Sequence, residues 1–461
     1  MISLTFHGAA RSVTGSKYLL QVNDRRILVD CGLFQGRRDI RKRNWEPLDF
    51  DASGIEVVIA THAHLDHIGF LPCLVRNGFN GVVYSTPPTA DMADVLLKDA
   101  GHIQEEDAEY RNRKKITRHT PALPLFTVED AKKALTLFKP TPFNQWIELG
   151  SEIKFRYHVA GHILGAASVE FVLDDGDRKK TILFSGDVGR FGVPLMVDPA
   201  EPPEVDYLVC ESTYGDRFHP PNDLFFTMAN LINEVIERKS ILLMPAFAIG
   251  RTQQLTYMIN VLIQQGEIPP IQVNIDSPMA VKATEIYCRY PGYHSVNTDV
   301  LDGEKCVLYG KNVVLHRKRK SSKLLNKLKG PAIILSASGM LSGGRIMHHL
   351  MQRLPDPNTT LALVGFMAEG TLGRKISDGE KMVYIHKQPV EVKAKVVHQS
   401  GLSAHADYLE LMHWLEPFKT KPDKVFVTHG ELDSSQAMLE RFTNEKGWDC
   451  MVPELDQTVE L

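Results

Sequence analysis

The stretch Thr61-His62-Ala63-His64-Leu65-Asp66-His67-Ile68-Gly69 decides the fold of this chain. It follows the apolar run Val57-Val58-Ile59-Ala60, which is typical of a short buried β-strand. A buried strand hides its own side chains, so the polar cluster is expected where the strand emerges at the edge of its sheet. Imidazole and carboxylate groups are metal ligands. The stretch therefore predicts a metal site at a strand end.

The spacing within this stretch predicts two metal ions. His62 and His64 are two positions apart and can approach one ion from the same side. Asp66 and His67 fall on the next turn of the chain and can face another ion. Open zinc sites hold imidazole nitrogen at roughly 2.0–2.1 Å and leave a position for water. The alternative, a polar loop with solvated histidines, suits a single histidine better than this group.

Length and composition indicate a globular protein with more than one domain. At 461 residues the chain exceeds one ordinary core, which predicts two or three domains. Its 43% hydrophobic and 24% charged residues are typical of soluble proteins. No apolar run reaches about 18 residues, so no membrane span is expected. The N-terminus Met1–His7 is interpreted as a first strand and not as a secretion signal, so we expect a cytoplasmic protein.

Charge and cysteine usage exclude some classes of site. The net charge of −3 gives no global attraction for nucleic acid, so such a partner must be held by local patches. The cysteines form no Cys-x-x-Cys pair, which argues against a thiolate zinc site and a disulfide framework. We expect reduced core residues at all six positions: Cys31, Cys73, Cys210, Cys288, Cys306 and Cys450.

Further apolar runs also end at ionisable residues, several of them beside glycine: Asp30, His162, Asp187, Glu211 and His429. One such residue alone is more often structural, and the repetition at successive strand ends favours a shared site. For Asp30 we expect either a hydrogen bond from a metal-bound imidazole or a contact that supports the loop carrying the ligands. A turn aspartate before Gly32 is an equally good interpretation on its own.

The middle of the chain alternates helical patterns with apolar strands, which predicts a mostly parallel sheet with helices on both faces. Met382–Ile385 is interpreted as one of its strands, whereas Val390–His398 is interpreted as a return to the first domain. Ligand-type residues resume only after this region, so we interpret it as an insertion. The expected domains are residues 1–210, an inserted domain at 211–392, and a C-terminal part of the first domain at 393–461.

Two local patterns in the chain could meet a polyanion. Ser336-Ala337-Ser338-Gly339, with Arg345 behind it, places small residues ahead of a helix and could hold phosphate, although the spacing is not that of a nucleoside-triphosphate loop. The basic runs within residues 104–120 and 316–320 could contact nucleic acid. A solvated face is the favoured interpretation for the first run, and an exposed loop is at least as good for the second.

The ordered pattern resembles the metallo-β-lactamase fold. Asp30, the His62-x-His64-x-Asp66-His67 motif, His162 and Asp187 match its four motifs in order. Glu211, His405 and His429 match three further motifs of the β-CASP branch of nucleic-acid nucleases. The resemblance implies an α/β fold, namely an αββα sandwich with an inserted α/β β-CASP domain. It is nearest to compact bacterial proteins similar to the cleavage-and-polyadenylation endonuclease.

The resemblance also implies a two-zinc site. One ion would be held by His62, His64 and His162, and the other by Asp66, His67 and His429, with Asp187 bridging both; manganese is conceivable at the second position. His405 would be the general acid, oriented by Glu211, and Asp66 would orient the attacking hydroxide. Substrate contacts are expected from Ser336, Ser338, Gly339, Arg251, Arg345 and Arg374.

The expected activity is hydrolysis of single-stranded RNA, because histidine at position 429 is typical of the RNA-acting relatives. The alternatives are a DNA nuclease of the same family, a thioesterase-like or lactonase-like hydrolase, and a catalytically silent RNA-binding subunit. Endonuclease and 5′→3′ exonuclease modes stay open, as does a homodimer. One departure is Phe366-Met367, where many relatives have a Tyr-Gln pair.

Overall fold

The computed structural model describes residues 1–117, 119–220, 223–296, 306, 308–341, 343–365, 367, 370–399 and 401–461. They form two compact units. The first contains Met1–Gly192, Val197–Phe218 and His405–Leu461, and the second contains Val193–Met196 and His219–Ala404. Strands β1–β22 and helices α1–α13 are numbered along the chain. Within the described ranges, no helix is long and apolar enough to cross a membrane.

Two seven-stranded sheets build the first unit. The first sheet has the order β22 (Thr458–Glu460), β1 (Ile2–Phe6), β2 (Tyr18–Val22), β3 (Arg25–Val29), β4 (Val57–Ile59), β5 (Val82–Ser85) and β6 (Phe138–Pro140). The second has the order β21 (Cys450–Met451), β20 (Lys424–Thr428), β11 (Tyr207–Glu211), β10 (Lys179–Phe184), β9 (Ala167–Asp174), β8 (Ile153–Val159) and β7 (Ile147–Leu149).

The two sheets of the first unit face each other across one apolar core. Aromatic rings from opposite sheets meet there: the centroids of Phe6 and Phe426 are 5.3 Å apart, and those of Tyr84 and Phe155 are also 5.3 Å apart. Offset and tilted rings at such separations are the favoured aromatic geometry. The outer faces are covered by helices, which gives the αββα arrangement and confirms the predicted fold class.

The helices of the first unit are α1 (Arg38–Lys42), α2 (Leu65–Ile68), α3 (Leu71–Arg76), α4 (Pro87–Lys114), α5 (Val128–Leu135), α12 (Tyr408–Trp414) and α13 (Leu432–Lys446). The short helices α2 and α3 follow each other closely but are separate. Pro72 lies in the first turn of α3, the position in a helix where proline fits best, because its missing N–H is not needed there.

The second unit is built on an all-parallel sheet. Its strand order is β14 (Val313–Leu315), β13 (Gln272–Ile275), β15 (Ala332–Ser336), β12 (Ile241–Pro245), β16 (Thr359–Leu363) and β19 (Lys395–His398). Its helices are α6 (Leu224–Glu237), α7 (Arg251–Gln264), α8 (Pro278–Arg289), α9 (Arg319–Leu324), α10 (Arg345–Arg353) and α11 (Leu372–Ser377). Leu242 packs into the core on one face and Leu243 into the core on the other, so the sheet is buried on both sides.

Several local predictions for the second unit are corrected by the structure. Met382–Ile385 (β17) lies outside the parallel sheet and pairs with Gln388–Glu391 (β18) in an antiparallel ribbon. Because β19 pairs with β16, Lys395–His398 belongs to the inserted unit and not to the segment from 393 onward. The Phe366-Met367 pair is the departure from the family pattern noted above. Residues 366, 368 and 369 lie outside the described residues.

The cysteine prediction was wrong at two positions, because Cys288 and Cys306 form a disulfide. The two residues are 18 positions apart, and their Cα atoms are separated by 5.4 Å. Cys31, Cys73 and Cys210 are free and buried, as expected, and Cys450 is free and partly buried.

Candidate metal centre

Six strand ends of the first unit deliver the ionisable residues to one place. The stretch from Thr61 follows β4, Asp30 follows β3, His162 follows β8, Asp187 follows β10, Glu211 ends β11 and His429 follows β20. Asp30 and His429 adopt left-handed backbone conformations, with φ of +58° and +50°. Such conformations are unfavourable for residues with a Cβ and cluster at functional sites.

The first cluster of ligand atoms comes from three imidazoles. His62 Nε2 lies 3.1 Å from His64 Nδ1, and His162 Nε2 lies 3.2 Å from the same atom. The Oδ2 atom of Asp187 lies 3.3 Å from His62 Nε2 and 3.6 Å from His162 Nε2. Ligands at about 2.0–2.2 Å from a tetrahedral ion are roughly 3.3–3.6 Å apart, so this spacing suits one ion.

The second cluster lies against the first and contains a carboxylate. His67 Nε2 is 3.1 Å from His429 Nε2, and Asp66 Oδ2 is 3.7 Å from the same atom of His429. The other oxygen of Asp187, Oδ1, lies 3.2 Å from His67 Nε2. The two oxygens of Asp187 therefore face different clusters, which is the arrangement expected for a bridging ligand.

The three imidazoles of the first cluster favour the neutral form, which can bind a cation. Burial lowers the pKa of His62 to about 3, and it also lowers the pKa values of His64 and His162. Neutral imidazoles have lone pairs to offer a metal. At the second cluster, burial lowers the pKa of His67, but the carboxylates of Asp187 and Asp30 outweigh that effect and raise it well above its usual value, so the surroundings favour positive charge there.

Among the residues that the structure describes, two buried atoms at this site have no hydrogen-bond partner, namely Nδ1 of His162 and Oδ1 of Asp187. Buried polar atoms are normally paired, and an unpaired one is costly. For Asp187 Oδ1, a cation between it and the second cluster would remove that cost. The donor set, its spacing and this orphaned oxygen all fit a pair of metal ions.

Asp30 fixes the orientation of the stretch Thr61–Gly69, the metal loop, through contacts with Thr61 and His67. Its Oδ1 accepts a hydrogen bond from Thr61 N at 2.8 Å, and its Oδ2 accepts one from the Thr61 hydroxyl at 2.9 Å. Oδ2 also lies 2.7 Å from Nδ1 of His67. A carboxylate behind a ligating histidine sets which ring nitrogen faces the metal. The structure brings Asp30 next to His67, and its role behind a metal-bound imidazole stays a prediction.

His405 and Glu211 form a pair beside the clusters. His405 Nδ1 lies 3.1 Å from Glu211 Oε2, and its Nε2 lies 3.9 Å from Asp187 Oδ2. Burial lowers the pKa of His405, but the nearby carboxylates of Glu211 and Asp187 outweigh this and raise the pKa to about 9. Both carboxylates thus favour the protonated imidazole, which is the form that a general acid requires.

Hydroxyl groups that the sequence did not single out also shape the site. Thr213 Oγ1 donates to Glu211 Oε2 at 2.6 Å and lies 3.1 Å from Nδ1 of His429. Ser185 Oγ accepts from the backbone N–H of Glu211 at 3.0 Å. These hydroxyl residues are marked in the sequence only by their nearness to predicted site residues. Thr61 is next to His62, Ser185 is two positions from Asp187, and Thr213 is two positions from Glu211.

The predicted substrate contacts all lie in the second unit. Arg345 donates to Asp276 Oδ1 at 2.7 Å and to the carbonyls of His316 and Arg317. The Ser336 hydroxyl donates to the Asp276 carbonyl at 3.1 Å. These donors are engaged within the unit, which favours a structural role for both residues.

The remaining candidates of this group differ in exposure. Arg251 is buried at the start of α7 and donates to Gln254, whereas Arg374 is exposed and pairs with Asp378 at 2.9 Å. Ser338 and Gly339 lie in the loop that follows β15. Phosphate contacts from these four residues remain a prediction.

Three family descriptions match the chain. The metallo-beta-lactamase superfamily covers residues 13–228, the Beta-Casp domain covers 252–376, and the Zn-dependent metallo-hydrolase RNA specificity domain covers 389–453. Among solved structures, a protein of unknown function from Enterococcus faecalis V583 aligns over 100% of both chains with a TM-score of 0.55 and 14% identity. That likeness shows the fold alone.

Several curated proteins are similar along nearly the whole chain. Ribonuclease TTHA0252 of Thermus thermophilus is 36% identical over 94% of both chains. An RNase J-like protein of Methanocaldococcus jannaschii is 30% identical over 94% of this chain and 93% of its own. Transcription termination factor FttA of Methanosarcina mazei is 31% identical over 93% of this chain and 67% of its own length.

Proposed function

Because this chain belongs to the β-CASP branch of the metallo-β-lactamase superfamily, we propose that it is a zinc-dependent ribonuclease that hydrolyses single-stranded RNA. The observation that carries the proposal is the pair of ligand clusters that share Asp187, in a chain that also matches an RNA specificity domain. Similarity to ribonucleases over most of the chain supports the same substrate.

We assign two zinc ions to the clusters. The first would be bound by His62, His64 and His162, and the second, where manganese could substitute, by Asp66, His67 and His429. Asp187 would bridge them. When bound, such ions supply positive charge to the phosphate oxygens and make the attacking water more acidic.

The protein's own groups then handle protons and orientation. The attacking water first releases one proton to solvent. As the resulting hydroxide oxygen bonds to phosphorus, the bond to the leaving ribose oxygen breaks, and Nε2 of His405 gives that leaving oxygen a proton. Glu211 accepts from Nδ1 of His405 and keeps Nε2 directed toward the clusters. Asp66, whose Oδ2 atom lies 3.7 Å from Nε2 of His429, would orient the attacking water.

The closing experiment compares end-labelled single-stranded RNA and DNA of one sequence, incubated with the zinc-loaded protein. We expect cleavage of RNA that stops on chelation and returns on adding zinc. Cleavage of DNA alone would assign the chain to a DNA nuclease, and hydrolysis of only a lactone or thioester would overturn the proposal. RNAs with 5′ phosphate or 5′ hydroxyl separate exonuclease from endonuclease products in the same assay. The cytoplasmic location and the oligomeric state remain predictions.

A further inference from the structure

The segment Arg37–Trp45 concentrates positive charge in the first unit. Between positions 37 and 45 the sequence is Arg-Arg-Asp-Ile-Arg-Lys-Arg-Asn-Trp, with five cationic side chains against one carboxylate, whereas the whole chain has a net charge of −3. The segment folds as α1, Arg38–Lys42, followed by a 3-10 turn at Arg43–Trp45. Most of it is exposed.

The cations of this segment are mostly unneutralised. Arg37 pairs with Asp39 at 2.9 Å. Among the described residues, no carboxylate lies within 4.0 Å of the three exposed cations Arg38, Arg41 and Lys42. These three are spaced i, i+3 and i+4, so they lie on one face of the short helix. A polyanion would meet three charges together.

An exposed indole lies at the end of the same segment. Trp45 is 61% exposed, although tryptophan is usually largely buried. Its neighbour Asn44 is buried and holds the segment in place, because it donates to the Phe34 carbonyl at 2.7 Å and accepts from the Phe34 N–H at 2.9 Å. The ring is therefore presented on an anchored turn.

The chain just before this segment is hydrogen-bonded to the loop that carries Asp66 and His67. The N–H of Cys31 donates to the His67 carbonyl at 2.6 Å, and the N–H of Leu33 donates to the Leu65 carbonyl at 2.8 Å. Phe34, the residue that Asn44 holds, follows at once. The position of the basic face is thus fixed relative to the loop that carries Asp66 and His67.

The other basic segment of the first unit lies at the end of a long helix that carries both signs of charge. Arg111 pairs with Asp107 at 2.8 Å, and α4 carries further acidic residues, Glu105, Glu106 and Glu109, before its basic end at Arg113–Lys115. Mixed charge of this kind is typical of a solvated helix face. It makes the end of α4 a matched control.

We propose that Arg38, Arg41, Lys42 and Trp45 form a binding platform for RNA outside the metal clusters, with the cations on phosphates and the indole stacked on a base. Cationic side chains supply the salt-dependent part of nucleic-acid affinity, and aromatic rings stack on unpaired bases of any sequence. This inference rests on the proposed ribonuclease function and adds how the substrate is held.

The test uses zinc-loaded protein with substitutions Arg38→Gln, Arg41→Gln and Lys42→Gln together. On a single-stranded RNA of about 20 nucleotides we expect KM to rise roughly 10- to 100-fold at 0.1 M salt. The slope of log KM against log salt concentration should fall by about 2, because three phosphate contacts are lost. We expect kcat to stay unchanged. A trinucleotide offers few phosphates beyond the one that is cleaved, so we expect the triple variant to cleave it as the wild type does.

Trp45 is tested separately, with Trp45→Ala and Trp45→Phe. Loss of one stacked base predicts a KM increase of roughly 5- to 150-fold for Trp45→Ala, largely restored in Trp45→Phe. The control variant carries Arg113→Gln, Lys114→Gln and Lys115→Gln and should match the wild type.

Three results would overturn the platform: an unchanged KM on the long RNA in both platform variants, an equal loss on RNAs of both lengths, or the same effect in the α4 control. Failure of the wild type to cleave RNA would instead refute the proposed function, so the two failures are distinguishable. Zinc content and thermal unfolding of each variant verify that the fold is intact.

Discussion

Asp30 Oδ2 lies 2.7 Å from Nδ1 of His67, and both side chains are buried. The same oxygen accepts from the Thr61 hydroxyl, so the carboxylate connects the start and the end of the metal loop. The charge of Asp30 and its geometry should therefore both matter to metal binding.

Asp30→Asn keeps the shape of the side chain and removes its charge. A carboxylate hydrogen-bonded to a metal-binding histidine makes that imidazole a stronger ligand, and Asp30 is so placed beside His67. We therefore expect the zinc affinity and the activity of Asp30→Asn to fall by about 10- to 100-fold. Competition with a chromophoric chelator measures the affinity. Asp39→Asn, on the exposed α1, is the matched control, and equal affinities in the two variants would refute the role given to Asp30.

His64→Ala and His405→Ala should separate metal binding from proton transfer. His64 contributes a ligand atom to the first cluster, so its loss should remove one zinc and abolish cleavage. His405→Ala should keep both metals and lose turnover, because the leaving oxygen then lacks its proton donor; general acid–base groups typically contribute about 10²–10⁴-fold. Metal analysis beside a gel assay measures both, with exposed His413→Ala as the control. Full activity of His405→Ala would rule out the acid assignment.

Gly32→Ala should disrupt the metal loop through sterics alone. A Cβ at this position would lie 1.6 Å from the carbonyl oxygen of Asp66, which is backbone and cannot move aside cheaply. We expect loss of at least one zinc and a stability loss of about 2 kcal/mol or more. Gly292→Ala, where a Cβ meets nothing within 4 Å, should be near neutral. Thermal unfolding and metal analysis compare the two, and a zinc-replete Gly32→Ala protein would contradict the packing described here.

Lys17 should make the stability of the protein depend on pH. The ammonium is buried between the Phe34 and Phe70 rings, 4.4 and 4.9 Å from their centroids, and burial lowers its pKa from 10.5 to about 8. The unfolded chain therefore binds this proton more tightly. The free energy of unfolding should rise as pH increases from about 8 to 10.5, and below pH 8 the protonated amine destabilises the fold by about 3 kcal/mol.

Lys17→Met should consequently be more stable than the wild type at pH 7, by up to about 3 kcal/mol, with the difference vanishing above pH 10.5. Urea unfolding at several pH values from 7 to about 11 measures this difference. The exposed Lys133→Met provides the control for loss of one charge. A less stable Lys17→Met protein at pH 7 would show that the cation–π contacts outweigh the burial cost.

The strand-end positions of the site were predictable, because apolar runs in parallel sheets bring their carboxyl ends to one edge. His62, His64, Asp66 and His67 lie in one loop, so their proximity followed from the sequence. The meeting of His67 with His429, 362 positions later, came from the ordered motifs and not from local pattern. Thr213 could not be assigned, since a hydroxyl gains its role only from the tertiary position of its neighbours.

Other features depended on interactions that a local pattern does not encode. The ribbon strand Met382–Ile385 has the composition of a sheet strand, and only its pairing with Gln388–Glu391 distinguishes it. The Cys288–Cys306 disulfide joins residues with no motif spacing. Arg345 was a phosphate candidate by charge, yet the buried carboxylate of Asp276 engages it.

Anomalous diffraction at the zinc edge from crystals of the metal-loaded protein tests the central claim most directly. The account predicts two peaks about 3.5–4 Å apart, one beside His62, His64 and His162 and the other beside Asp66, His67 and His429, with Asp187 between them. A single peak, or peaks away from these residues, would contradict it.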